Sequence, residues 1–240
     1  MKLDILVITV HPDDAELGCG GTIASHVAMG KKVGIVDMTA GELGTRGTVE
    51  IRAKESAASS KVLGVSVRMN LGFADGFFAN DRKHQLELIR MIRRYQPELV
   101  IANAIKDRHP DHGRAAQLTC DACFLSGLRM IETFDNDQAQ QSWRPAQVWH
   151  MVQSVYIAPD IVVDVSKHWE TKMEAIRCFK SQFDATEGDE PGTFLTTPLF
   201  MKFVEARGQE YGHAIGAAYG EGFTNDKQMG VDSLFDLKLS

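Results

Sequence analysis

The chain has 240 residues, 44% of them hydrophobic and 24% charged, enough to bury a sizeable core in one domain spanning 1–240. Its 26 basic and 32 acidic side chains leave a net charge of −6, which argues against a basic surface for nucleic acid and against a polybasic membrane patch. No apolar run approaches the ~20 residues of a spanning helix, and Leu3–Val10 is too short for a secretory leader, so a cytoplasmic protein is expected.

Strand-like runs at Ile5–Val10, Val33–Met38, Val67–Leu71 and Glu98–Asn103 alternate with helical patterns at about 19–29, 50–63, 83–95 and 113–130. Short continuous apolar strands are what a parallel sheet covered on both faces produces. Gly30 and Gly64 stand where helix C-caps are expected, and Pro97 stops the third helix. Further on, Val148–Ile157 and Ile161–Val165 read as β, and about 167–180 as a helix. Residues 184–193 form an acidic loop rich in turn formers, and 194–240 has no clear pattern. The predicted fold class is α/β, a three-layer sandwich around a mostly parallel sheet.

Cys120 and Cys123 form a single CxxC inside a predicted helix, with no second pair to complete a zinc site; they read as packing residues. Arg90, Arg93 and Arg94 read as a solvated helix face.

Two turns carry the chemistry. His11-Pro12-Asp13-Asp14 follows the first strand and His109-Pro110-Asp111-His112 follows the fourth. Ligands of open α/β sheets sit beyond the carboxyl ends of the strands. Proline holds the preceding His in extended geometry there. A catalytic zinc takes three protein ligands and leaves one position for water; His11, Asp14 and His112 satisfy that count. Two His and one carboxylate suit Fe(II) as well. Asp13 is left beside the metal as a proton acceptor, and Asp111 can orient His109. Either turn alone is also ordinary turn and cap chemistry.

Gly18-Cys19-Gly20-Gly21 invites a dinucleotide-binding reading, with Asp37 ending the second strand. Ile23 stands where that fingerprint needs a small residue, and the two carboxylates of the first turn would face a pyrophosphate.

The two turns resemble those of the LmbE/PIG-L family of zinc-dependent deacetylases. The stretch Thr39-Ala-Gly-Glu-Leu-Gly-Thr-Arg-Gly at 39–47, Ile51-Arg52-Ala53, Lys180-Ser-Gln-Phe and Tyr219-Gly-Glu-Gly-Phe resemble the branch that deacetylates N-acetylglucosaminyl malate in bacillithiol biosynthesis. The resemblance implies a Rossmann-like fold and one Zn2+ per chain on His11, Asp14 and His112. It also implies Asp13 as general base, and His109, supported by Asp111, as the group that stabilises the oxyanion. Protonated His109 is expected in that role. Some relatives add a Tyr hydroxyl near the metal, which the residues before His109 do not supply. A malate aglycone needs cations, and Arg46, Arg52 and Arg108 are the candidates; Arg52 reads equally as an i,i+3 partner of Glu55. The expected partner is a small aminosugar, and a homo-oligomer, a hexamer in some relatives, is expected. The rival readings are a deacetylase of another N-acetylglucosamine conjugate and a metal-stabilised binding module without turnover.

Overall fold

The computed structural model describes residues 1–186 and 188–236. Its core alternates strands and helices: β1 (Ile5–Thr9), α1 (Asp14–Ala28), β2 (Val33–Thr39), α2 (Val49–Leu63), β3 (Val67–Phe73), α3 (Arg82–Tyr95), β4 (Leu99–Ala102) and α4 (Pro110–Leu125). A small hairpin, β5 (Phe134–Asp135) and β6 (Gln138–Ala139), precedes β7 (Gln147–Met151) and β8 (Ile161–Asp164). Helices α5 (Trp169–Arg177), α6 (Lys180–Phe183) and α7 (Pro198–Ala214) follow, and β9 (Gly220–Thr224) returns to the sheet.

The seven-stranded sheet runs in the order β3-β2-β1-β4-β7-β9-β8. Strands β3, β2, β1, β4 and β7 are mutually parallel, and β9 is antiparallel to both neighbours. Every residue of β1 and β2 is buried, as expected for strands with helices on both faces. The chain moves outward through β2 and β3, then jumps back to β4 on the other side of β1. A crevice opens at such a reversal. The two His-Pro turns lie at the carboxyl ends of β1 and β4, on either side of it.

Several elements differ from expectation. Helix α1 begins at Asp14 rather than near residue 19, so the four-residue glycine stretch lies inside a helix and not in a phosphate-binding loop. Close packing is the reason. A Cβ on Gly18 would sit 2.0 Å from the Met151 sulfur, and one on Gly21 would sit 2.7 Å from Val165 Cβ. The helix breaks its regular geometry at Cys19. Asp37, the other half of the dinucleotide reading, is bound on both oxygens by Arg68 at 2.7 and 3.0 Å.

The Val148–Ile157 run leaves the sheet after Met151, and the helix expected over about 167–180 divides into α5 and α6. The stretch from 194 resolves into α7 and β9. Arg93 is buried rather than solvated, donating to the carbonyls of Ser126, Leu128 and Ile131. Those bonds tie down the connection after α4. Cys120 and Cys123 are free thiols within α4. The acidic loop includes residue 187, outside the described residues.

Candidate active site

The turn after β1 is strained. Asp13, the N-cap of α1, holds φ at 135°, a region that costs a non-glycine residue on the order of 1–3 kcal/mol and persists only where its surroundings enforce it. Arg52 supplies the enforcement. Its Nη2 donates to the Pro12 carbonyl at 2.7 Å and to Asp13 Oδ2 at 3.1 Å, and its Nη1 donates to the Gly41 carbonyl at 3.3 Å. The strain aims Asp13 into the crevice and starts α1 with Asp14 facing the same way.

After β4, His109 caps α4 and Pro110 occupies its first turn. His112, one turn into the helix, therefore points back toward the end of β1. His112 Nε2 lies 3.2 Å from Asp14 Oδ1, and His11 Nδ1 lies 3.6 Å from Asp14 Oδ2. A tetrahedral ion with donor distances of about 2.0–2.1 Å spaces its ligand atoms roughly 3.3 Å apart. Each imidazole thus turns one nitrogen toward the Asp14 carboxylate at about the spacing of neighbouring ligands on a divalent ion.

The remaining ring nitrogens are engaged. His11 Nε2 is 2.9 Å from Asp75 Oδ1, and His112 Nδ1 is 2.7 Å from Asp107 Oδ2. Carboxylates in those positions fix the tautomer and orientation of a metal-binding His. Asp14 is held by two amides: Asn103 Nδ2 donates to Oδ2 at 3.1 Å and Gln153 Nε2 to Oδ1 at 3.0 Å. Asp107→Asn is expected to weaken metal affinity about 10- to 100-fold while leaving the fold intact. Titration against a competing chelator measures this, and unchanged affinity would remove Asp107 from the site.

The electrostatics fit a cation site. Burial disfavours charge on His11, yet the hydrogen bonds it donates to the Asp14 and Asp75 carboxylates raise its pKa to about 10. Burial likewise opposes His112, and Asp14 and Asp107 lift it to about 9. Burial pushes Asp14 up, but His112 and His11 outweigh it and hold the carboxyl well below its usual range. In the metal-free chain the two imidazoles themselves carry the positive charge, so at neutral pH a metal displaces their protons. Asp13 is raised to about 7 by burial, against the pull of Arg52, which places a carboxylate base near neutrality.

His109 stands apart from the pair. Its ring stacks on His112 at 5.2 Å between centroids and meets His11 edge-on at 4.8 Å. Nitrogens of His11, His109 and His112 all lie within 4.8 Å of one another, as do donor atoms of His11, Asp75 and Asp111. We favour His11, Asp14 and His112 because both of these imidazoles have a supporting carboxylate and their other nitrogen faces Asp14. Burial, then the neighbouring His11 and His112, lower the His109 pKa. Its Nδ1 accepts the Asp111 backbone N–H at 3.3 Å, which leaves Nε2–H as the free donor of a neutral ring. Two expectations change here. The lowered pKa and the Nδ1 contact favour the neutral His109 ring in the metal-free chain over the protonated form. The Asp111 carboxylate does not orient it, because that group accepts from Gly76 N at 2.8 Å and Arg114 Nη1 at 2.7 Å.

Two of the three arginines assigned to the substrate are committed elsewhere. Arg46 is buried; its Nε donates to the Ser181 carbonyl, its Nη1 to that of Glu190 and its Nη2 to that of Asp184. It braces the loop after α6. Arg52 borders the cavity but serves Asp13, and Glu55 bonds Ser181 instead of Arg52. Arg108 is exposed and borders the cavity. Asp75, Asp107, Asn103 and Gln153 were not anticipated. The signal for them was a polar residue within five positions after the carboxyl end of a strand. A cavity of about 300 Å³ extends from these residues between α1, α5, α7 and β9, and Tyr211 of α7 lines it.

Comparison with known proteins gives the family. The profile of the family described as GlcNAc-PI de-N-acetylase (PIG-L) matches residues 6–123. The chain is 30% identical to the diacetylchitobiose deacetylase of Thermococcus kodakarensis, over 88% of this chain and 81% of that protein. It is 26% identical to a 4-oxalmesaconate hydratase of Pseudomonas putida, over 74% and 73% of the two chains. A conserved protein of Thermus thermophilus, TT1542, superposes with a TM-score of 0.84 at 35% identity, covering 96% of this chain and 98% of that one. The chain carrying these two strand-end turns belongs to the PIG-L/LmbE family.

Proposed function

We propose that the protein is a metal-dependent N-deacetylase of an N-acetylglucosamine conjugate, releasing acetate and a free amine. The observation that carries the reading is the buried Asp13, aimed into the same crevice as His11, Asp14 and His112 but engaged by Arg52. A purely structural ion has no use for a neighbouring base with a neutral-range pKa; hydrolysis does. Zinc is the proposed ion, one per chain, and the donor set also suits Fe(II). When bound, such an ion polarises a carbonyl and brings the pKa of water toward about 7.

The chain's own groups do the rest. Asp13 takes the proton of the attacking water and later returns it to the leaving amine. His109 donates its Nε2–H to the carbonyl oxygen as charge develops there, a contribution worth about 2.7–4 kcal/mol in comparable sites. Asn103 and Gln153 keep Asp14 from turning away. Tyr211, further along the cavity, is placed for the substrate body.

N-acetylglucosaminyl malate, the bacillithiol precursor, is the proposed substrate, on the strength of the motifs at 39–47 and 219–223. The relative that deacetylates diacetylchitobiose supports the reaction and the aminosugar. The hydratase relative makes hydration of an unsaturated acid the competing activity. Metal-loaded protein is expected to release acetate from the malate conjugate faster than from diacetylchitobiose or free N-acetylglucosamine. One metal per chain with no acetate from any of the three would favour the hydratase or a binding module. A cytoplasmic homo-oligomer belongs to the same reading. The exposed Phe124, Leu128 and Met130 at the end of α4 support the assembly. No helix among the described residues is long and apolar enough to cross a membrane.

A further inference from the structure

Four Lys and Arg side chains border the cavity: Arg52, Arg108, Lys172 and Arg207. Two are consumed by the protein. Arg52 holds the Asp13 turn, and Lys172 Nζ donates to the Leu17 carbonyl at 2.8 Å and to buried Glu221 at 2.6 Å. Arg108, from the loop after β4, makes no ion pair among the described residues and lies over the Phe194 ring at 5.2 Å.

Arg207, on α7, is more elaborately placed. Its guanidinium lies 5.2 Å from the ring centre of Tyr156, 5.1 Å from that of Phe203 and 5.7 Å from that of Tyr211. Nη1 donates to the Tyr211 hydroxyl at 3.4 Å, and Nε lies 3.5 Å from Glu210, whose side chain is 59% exposed. At 3.5 Å and open to solvent on the Glu210 side, this i,i+3 pair is weak. Nη2 has no partner among the described residues. Three rings thus orient a planar cation that borders the cavity. Phe200, Val204 and Trp169 supply apolar wall beside it. An anion entering here meets a preoriented fork in surroundings of reduced dielectric.

We propose that Arg207 is the specificity-determining residue for the part of the substrate that departs with the amine, and that it selects an aglycone bearing a carboxylate, with Arg108 as the second cation. The proposal rests on the deacetylase reading and assigns to α7 the role first expected of Arg46 and Arg52.

The test compares two substrates, the carboxymethyl and the methyl glycoside of N-acetylglucosamine, on metal-loaded wild type and Arg207→Gln. The readout is the ratio of kcat/KM between them. A lost charge-assisted bond predicts that the preference for the carboxylated glycoside falls about 10- to 150-fold. Arg207→Lys, which keeps the charge but not the fork, recovers part of it. A ratio unchanged in Arg207→Gln, including an equal loss on both substrates, overturns the proposal. If wild type hydrolyses neither glycoside, the deacetylase reading fails by itself. Calorimetric binding of the same two glycosides then decides the arginine's role: a carboxylate preference lost in Arg207→Gln supports it, and equal affinities in wild type refute it.

Discussion

Asp13→Asn is expected to lower turnover by about 10²- to 10⁴-fold, the usual range for loss of a general base, while the protein keeps one metal per chain. The choice of Asn follows from the structure. Its amide oxygen can still accept from Arg52 Nη2, now 3.1 Å from Asp13 Oδ2, and Asn tolerates positive φ about as well as Asp. Asp13→Ala would confound the result further, because it removes the hydrogen-bond acceptor of the buried Arg52 as well as its counter-charge. The pH dependence gives a second readout. The base works deprotonated, so wild-type kcat/KM rises with pH through the Asp13 pKa, which burial raises to about 7 in the metal-free chain. A divalent ion held at Asp14 takes the place of the two imidazole protons it displaces, so the net positive charge beside Asp13 is kept and this limb stays near neutrality. Asp13→Asn should flatten it. A variant releasing acetate at near wild-type rate, with the limb intact, would show that Asp13 is not the base.

His112→Ala and His109→Ala should fail in different ways. Loss of His112 removes one of three proposed ligands and leaves Asp14 and Asp107 facing each other without the imidazole between them. Metal content after dialysis is expected to fall from one per chain to near zero, and turnover to background. If the alanine variant is too unstable to purify, His112→Gln retains a polar side chain at the same place. His109→Ala should retain the metal and lose about 10²- to 10³-fold in kcat, the effect of removing one oxyanion donor. Elemental analysis beside steady-state kinetics separates the two. Metal lost from both variants would favour the three-imidazole cluster over the set containing Asp14.

The contrast between what was legible and what was not follows sequence distance. Strands β1 and β4 and their turns announce themselves locally, since an apolar run followed by His-Pro-Asp needs no distant partner to be recognised. The start of α1 was hidden because glycine is a poor helix former. Here Met151 and Val165, far along the chain, require the missing side chains at Gly18 and Gly21. Strand β9 was hidden for a related reason: a Cβ on Gly222 would meet Tyr211 at 2.9 Å, so packing selects residues that strand propensity disfavours. Arg46 and Arg52 sit in or beside a glycine-rich loop and read as exposed cations. The partners that bury Arg46 lie at 181–191, beyond any local pattern. Arg207 suffered the opposite fate, since its aromatic surround assembles only when Tyr156 meets α7.

Metal-dependent amide hydrolysis is the chemistry proposed for the crevice between β1 and β4. Acetate release from N-acetylglucosaminyl malate, followed in one preparation as isolated, after chelation, and after readdition of one equivalent of Zn2+ or Fe(II), tests it directly. Turnover should disappear on chelation and return in proportion to the metal taken up. Acetate release that persists in fully metal-free protein would contradict it.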